Sequence, residues 1–332
     1  MSQKRIRNLS DLAERHGCST MTVSMALRNS TRLSNELKEQ IQRTAQENNF
    51  SPRQYRQKKA TKSEARYSHL GPILILHDSF TRGQNPARDQ TMPYIFQMLN
   101  NFGIEYKYED IAILQEKPEC FNKFSAVLYY DDQDIAIPDD MPTMQIFGWG
   151  ELGKNHDRIT TDDIKVAQLA IDFFVRSKVK RVAVIWRDDM IKQTGGHPRI
   201  NALTSGLEKL DMQATPILFS WHKETNFRER LQEYIVNGNS EVGFFAFNSA
   251  CGMKLCNTLE SLQLWAKYAA DQVLVCDNDN IFENFWPKSH SIDLNFPALA
   301  NRAVSGLLWR LENPGLPSVT ICQSPTLEFK AQ

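Results

Sequence analysis

The chain has 332 residues, 41% of them apolar, and its 39 basic and 39 acidic side chains sum to a net charge of zero. That length excludes one compact core and points to two or three domains, and no apolar run approaches the ~20 residues of a membrane span. The zero hides an asymmetry: residues 1–66 carry 14 Lys/Arg against 6 Asp/Glu, the remainder 25 against 33. A basic head on an acidic body points to a polyanionic partner for the head.

The opening MSQKRIRNLS lacks the apolar core of an export signal. The six cysteines form no CxxC pair and no zinc-like His/Cys grouping, so reduced thiols in a cytoplasmic protein are expected, with no metal and no cofactor.

In chain order, Asn8 and Asp11 suggest a capped start to a first short helix, with Leu9, Leu12 and Ala13 on its inner face. Gly17 ends it, because glycine takes a left-handed backbone without a Cβ clash. Ser19 caps a second helix whose Val23, Ala26 and Leu27 face inward. Leu33 precedes a third, capped by Ser34 or Asn35, with Leu37, Ile41 and Ala45 inward. Two short helices, a tight glycine turn and a supporting helix describe a DNA-binding helix-turn-helix.

On its position in the second helix, Thr20, Met21 and Met25 face base edges. Ser19, Thr22, Ser24 and Ser34 offer hydroxyls to phosphates, and Arg28 and Arg32 add charge to that contact. Methionine packs but donates no hydrogen bond, so Met25 favours an A·T-leaning or loosely read half-site.

The stretch LSDLAERHGCSTMTVSMAL resembles the signature of the lactose-repressor (LacI) family, at Leu9, Asp11, Ala13, Gly17, Ser19, Thr22, Val23, Ser24 and Leu27. LSNELKEQIQRTAQENNFSP is similar to the family's third helix and its closing aromatic-x-Pro, here Phe50 and Pro52. The family places a minor-groove leucine in the following hinge; here Lys59 stands at that position, so the resemblance does not extend to an apolar wedge. Tyr55, Arg56 and Lys59 remain candidates to grip phosphates or a narrow groove.

The expected domains are a helix-turn-helix at 1–52, a basic hinge at 53–66 and a two-lobed effector-binding and dimerisation body at 67–332. From Tyr67, short apolar runs alternate with helical patterns, the mark of parallel sheets wrapped by helices. Strands are expected at GPILILHD, SAVLYYDD, TMQIFGW, RVAVIWRD, ATPILFSW, VGFFAFNS and DQVLVCDND. Helices are expected at PYIFQMLNNF, DDIKVAQLAIDFFVRSK, HPRINALTSGLEKLD, NFRERLQEYIVN, CGMKLCNTLESLQL and NFPALANRAVSGLLWRLENP. The fold class is α/β: a small all-α head followed by two Rossmann-like lobes of the periplasmic-binding-protein kind, which the family resemblance implies. ITTDDIKVAQLA, HPRINALTSGL, FFAFNS and VLVCDN are similar to family stretches, with Val166, Ala202 and Ser249 departing from them.

In such sheets, ligands gather beyond the carboxyl ends of the strands. The expected effector contacts are Arg199 and Asp277, as a donor fork and an acceptor for vicinal hydroxyls, with Asn248 beside them. Trp221 would stack on a sugar face, and His77, Asp78 and Trp149 lie at strand ends of the first lobe. Asp277 or Asn248 as a helix cap, and Trp221 as packing, is the plainer alternative.

No catalytic residues are expected. YYDD at Tyr129–Asp132 suggests a two-metal polymerase turn, but the chain has no room for a palm domain. Acidic doublets also stand at Asp139-Asp140, Asp162-Asp163 and Asp188-Asp189, so solvated strand ends are the better account. A glycosidase or a free sugar-binding protein is the competing function. The reading is a cytoplasmic transcriptional regulator, a repressor by family habit. It would bind a pseudopalindromic double-stranded operator as a homodimer, under a small-molecule effector such as a sugar.

Overall fold

The computed structural model describes residues 9–27, 33–47, 67, 69–77, 86–112, 118–130, 135–148, 152–153, 155–188, 196–220, 226–238 and 241–329. The chain divides into two units, 1–66 and 67–332. The expected hinge at 53–66 lies outside the described residues.

The head is three helices: α1 (Leu9–His16), α2 (Thr20–Leu27) and α3 (Asn35–Glu47). Leu12, Ala13, Val23, Ala26, Ile41 and Ala45 close its core, with Cys18, Leu33 and Leu37 packed against them. Eight-residue helices are too short to persist alone in water, so this apolar seam holds all three.

The body carries two six-stranded sheets. The first runs β11-β5-β4-β3-β1-β2 and all its neighbours are parallel. Its strands are β1 (Ile73–His77), β2 (Tyr106–Asp110), β3 (Ala126–Tyr130), β4 (Thr143–Ile146), β5 (His156–Thr161) and β11 (Thr320–Gln323). Alternate residues of β1 enter opposite cores. Ile73 and Ile75 meet the helices α4 (Pro86–Phe102) and α10 (Phe296–Glu312), whereas Leu74 and Leu76 meet Phe121 and Ile137. A strand buried on both faces reads as an unbroken apolar run.

The second sheet runs β12-β10-β9-β8-β6-β7, parallel except for the β10–β12 pair. It comprises β6 (Arg181–Arg187), β7 (Gln213–Phe219), β8 (Val242–Ala246), β9 (Val273–Cys276), β10 (His290–Asp293) and β12 (Thr326–Glu328). Around it lie α5 (Asp163–Arg176), α6 (Pro198–Glu208), α7 (Phe227–Gly238), α8 (Ser249–Ser261) and the single turn α9 (Trp265–Tyr268). The expected α/β class with a small helical head and two Rossmann-like lobes is the observed one.

The chain passes between lobes three times: from β5 to α5, from β10 to α10, and from β11 to β12. Two of these passages touch, the Asp162 amide donating to the Gln323 carbonyl at 2.9 Å. The last long helix, expected after the second sheet's strands, therefore packs back on the first lobe. There Arg310, fully buried, grips Asp157 of β5 with Nε at 2.9 Å and Nη2 at 2.5 Å, and caps the Leu316 and Pro317 carbonyls.

Five strands went unread in the sequence: β2, β5, β10, β11 and β12. The α4 helix also starts at Pro86 rather than Pro93, with Pro93 inside it.

Candidate functional site

The head presents a turn geometry suited to an anionic partner. Gly17 sits at φ +60°, and the Cys18 amide closes the end of α1 on the Ala13 carbonyl at 3.0 Å. Ser19 then caps α2: its Oγ accepts from the Thr22 amide at 3.0 Å and pairs with the Thr22 hydroxyl at 2.9 Å. Ser34 Oγ accepts from the Leu37 amide at 3.4 Å at the start of α3. Gln42 donates to the Ala26 carbonyl at 2.8 Å, fixing α3 across the end of α2.

Ser19, Thr20 and Ser34 are exposed and Thr22 half-buried. The side chains of Met21, Ser24 and Met25, and residues Arg28, Arg32, Tyr55, Arg56 and Lys59, lie outside the described residues.

In the body, the carboxyl ends of the two sheets are linked by contacts that cross between lobes. Gln90 of α4 donates to Asp279, just beyond β9, at 3.2 Å. Arg199 of α6 donates to Thr161 at the end of β5 at 3.2 Å. Phe147, which follows β4, packs against the cores of both lobes. Its φ of +67° is a backbone state that bulky side chains rarely adopt.

Arg199 is 5% exposed and every N–H of its guanidinium has a protein partner. Nε and Nη2 meet Asp163 Oδ1 at 3.0 and 2.9 Å. Nη1 meets the Phe247 carbonyl at 2.8 Å and Cys276 Sγ at 3.2 Å, and Nη2 also reaches Thr161. Its Cζ lies 4.7 Å from the Phe247 ring centre. The Arg199 amide donates to His197 Nδ1 at 3.1 Å, so His197 is the N-cap of α6. Burial, then the neighbouring Arg199 charge, pushes His197 down to about 2. With Nδ1 accepting, the ring is neutral, and its 3.9 Å approach to Asp163 is not an ion pair.

Asp277 is 1% exposed with φ +73°. Its Oδ2 accepts from the Ser249 amide at 3.2 Å. Burial raises its carboxyl to about 6, against the pull of Arg199 and the Ser249 amide. A strained backbone and a perturbed carboxylate at a strand end are the usual marks of a working site. Asn248 caps α8, its Oδ1 accepting from the Cys251 amide at 3.0 Å. His77 stacks on Tyr108 at 4.1 Å and stands 3.9 Å from Asp110. Asp78, Trp149 and Trp221 lie outside the described residues.

The structure thus gathers Arg199, Asp277 and Asn248 at one end of the second sheet and places His77 at the corresponding end of the first. It adds Asp163 and His197, which the sequence reading left out. The Asp162-Asp163 doublet is no solvated strand end: Asp162 caps α5 through the Lys165 amide at 2.9 Å, and Asp163 is the buried counter-ion of Arg199. Asp139 and Asp140 are exposed as expected. The signal for Asp163 was its place two residues after Thr161 in a helix start, where a side chain turns back toward the strand end.

Among the described residues no helix is long and apolar enough to cross a membrane. Among the same described residues, no cluster of His, Cys, Asp or Glu is arranged to hold a metal.

Residues 8–53 match the family model described as bacterial regulatory proteins, lacI family. No curated protein matches the chain in sequence. Among solved structures, the chain is similar to the lac repressor dimer bound to operator and the anti-inducer ONPF, with a TM-score of 0.61 and 16% identity over 98% of each chain. It is similar to the transcriptional regulator CelR in complex with cellobiose, with a TM-score of 0.63 and 14% identity over 97% of this chain and 98% of that one. A third likeness is to a periplasmic binding protein/LacI transcriptional regulator from Alkaliphilus metalliredigens QYMF complexed with D-xylulofuranose. Its TM-score is 0.62, with 16% identity over 78% of this chain and 97% of that one.

Proposed function

We propose that the chain is a lacI-family transcriptional regulator: a DNA-binding head governed by a small molecule held between two α/β lobes. The observation that carries this reading is the lacI-family match of residues 8–53 joined to a body whose fold is that of the lac repressor. The Ser19 and Ser34 caps leave exposed hydroxyls at two helix N-termini, where amides and helix dipoles favour phosphate oxygens. On α2, Thr20, Met21 and Met25 read base edges, with Thr22 and Ser24 beside them. Arg28, Arg32, Tyr55, Arg56 and Lys59 supply the salt-sensitive part of the contact.

One recognition helix reads a half-site, so the protein works as a homodimer on a pseudopalindromic operator in the cytoplasm. The effector is a sugar or a related metabolite. It meets Asp277, Asn248 and Trp221 on one lobe and His77, Asp78 and Trp149 on the other; Arg199, expected as a fork for the effector's hydroxyls, has its guanidinium taken up by Asp163, Thr161, Cys276 and the Phe247 carbonyl and instead ties the strand ends in place. No step of this function requires catalysis, a metal or a cofactor. Binding shifts the lobes between two states only as far as its affinities for them differ.

Duplex selection on the purified full-length protein, with and without a panel of sugars and nucleobases, tests the reading. An inverted-repeat site whose occupancy responds to a panel member is the expected result. A protein that prefers no duplex over random sequence at moderate salt overturns it.

A further inference from the structure

Toward the amino end of the second sheet, away from the strand ends assigned to the effector, three side-chain atoms are buried without a hydrogen-bond partner among the described residues. They are Arg181 Nε, Tyr234 OH and Thr215 Oγ1. Buried polar atoms are almost always satisfied, and one left unmade costs its full desolvation. All three can donate. Burial raises the Tyr234 phenol above its ordinary value, against the pull of Arg181, so the hydroxyl keeps its proton.

The three share the face of the sheet that α7 covers. The Arg181 Cζ lies 4.9 Å from the centre of the Tyr234 ring, and that ring lies 6.1 Å from Phe244 of β8. Phe244 is in register with Ala183 of β6, and Ala183 with Thr215 of β7. Residues in register project to one face, as do residues two apart on a strand. Arg181, Ala183, Thr215 and Phe244 therefore all point toward α7. With strands about 4.8 Å apart and a rise of about 3.3 Å per residue, the Arg181 and Thr215 Cα atoms stand about 8 Å apart.

Among the described residues no carboxylate neutralises Arg181. Glu241, whose carbonyl accepts from the Arg181 amide at 3.2 Å, gives its carboxylate to Lys180 at 2.8 Å. Gly238, the last residue of α7, lets the helix end close on the guanidinium: a Cβ there would come within 3.1 Å of Arg181 Nη1. Stacking on Tyr234 offsets part of the cost of burying the charge but supplies no acceptor in the plane of the guanidinium. We propose that this corner is a second binding site, for a small oxyanion of the phosphate or sulfate kind held by Arg181, Tyr234 and Thr215. Such an ion offers acceptor oxygens in several directions and the one negative charge that the corner lacks. β6 runs from Arg181 to Arg187, so the site stands about 20 Å from the effector end of the lobe and does not depend on that reading.

The test uses the full chain and calorimetric titration with sodium phosphate and sodium sulfate, with sodium chloride at equal ionic strength as the blank. At least one of the two oxyanions binds saturably. Arg181→Met abolishes that binding, and Tyr234→Phe, which keeps the ring, weakens it by about tenfold. Both salts also stabilise folded proteins by exclusion from the surface, so heat of binding is the readout for the ion. Without oxyanion, Tyr234→Phe melts no lower than the wild type, because its hydroxyl has no protein partner to lose. If Arg181→Met does not fold, Tyr234→Phe decides alone. A silent titration with both oxyanions overturns the proposal and leaves water as the occupant of the corner. Binding that the variants retain in full also overturns it, because the ion then sits elsewhere on the chain. A Tyr234→Phe protein that melts several degrees lower without oxyanion does the same, because the hydroxyl then has a partner in the protein.

Discussion

Gln90 and Asp279 are 189 residues apart in sequence and share a hydrogen bond at 3.2 Å, joining the first helix of one lobe to the loop after β9 of the other. Asp279 also holds the 3-10 turn Asn280–Asn284 through the Ile281 amide at 3.0 Å, and it lies two residues from Asp277. The bond thus ties lobe closure to the loop that carries the buried carboxylate. Because the turn itself is held by Asp279 and the Ile281 amide, Gln90→Ala removes the tie and spares the turn. A hydrogen bond to a charged group contributes roughly 1.5–3 kcal/mol, so the variant shifts toward open lobes. Small-angle scattering of the full-length protein should show a larger radius of gyration than wild type; an identical curve refutes the coupling.

Arg199 and Asp163 form a buried ion pair with further partners on every side. Replacing Arg199 with Met leaves the Asp163 carboxylate uncompensated, which costs about 3–5 kcal/mol for a buried pair. Adding Asp163→Asn removes the stranded charge. Urea unfolding should find Arg199→Met severely destabilised and the double variant substantially recovered. Equal losses in the two proteins would show that the pair is not coupled.

His197 makes stability depend on pH. Its folded value, about 2, is below the ordinary 6.5, so in acid the unfolded chain takes up a proton that the folded one refuses. The stabilisation is complete above pH 6.5 and is lost as pH falls below it, by about 1.4 kcal/mol between pH 7.5 and 5.5. Asp277, raised by burial, acts in the opposite sense over part of this range. His197→Asn keeps a residue that caps helices well and removes the titration. Comparing the two proteins cancels Asp277, and urea melts at both pH values should differ in slope by that amount. Parallel pH profiles would remove His197 as the cause.

Ser19 closes the start of α2 through the Thr22 amide. Ser19→Ala should cost the head about 1 kcal/mol, the usual value of an N-cap. Amide exchange across α2 should speed up by roughly fivefold, while α8, in the other unit, stays at the wild-type rate. Unchanged exchange in α2 would mean that the apolar seam alone sets its stability.

The head was legible because its instructions are local. Glycine at a left-handed turn, serines at helix starts and an apolar stripe at Leu12, Val23, Ala26 and Ile41 need no distant partner to be recognised. The same holds for β1, β3, β6, β8 and β9, which are interior strands and therefore read as apolar runs. The missed strands carry polar residues for reasons that lie elsewhere in the chain. In β5, Asp157 and Arg158 are buried because Arg310 and Gln145 receive them; β2 is an edge strand with exposed Lys107 and Tyr108.

The amino-acid sequence by itself determined the class of each half: a helical head with a family signature, and a body of alternating strands and helices with its polar groups at strand ends. Periodicity and turn chemistry act within a few residues, so they survive in one dimension. Only the tertiary structure decided that the last long helix returns to the first lobe, that Asp163 neutralises Arg199, and that the Ser249 hydroxyl is buried without a hydrogen-bond partner. These depend on which strands become neighbours, and burial in a low-dielectric interior gives a charge or a hydroxyl its meaning only once those neighbours are in place.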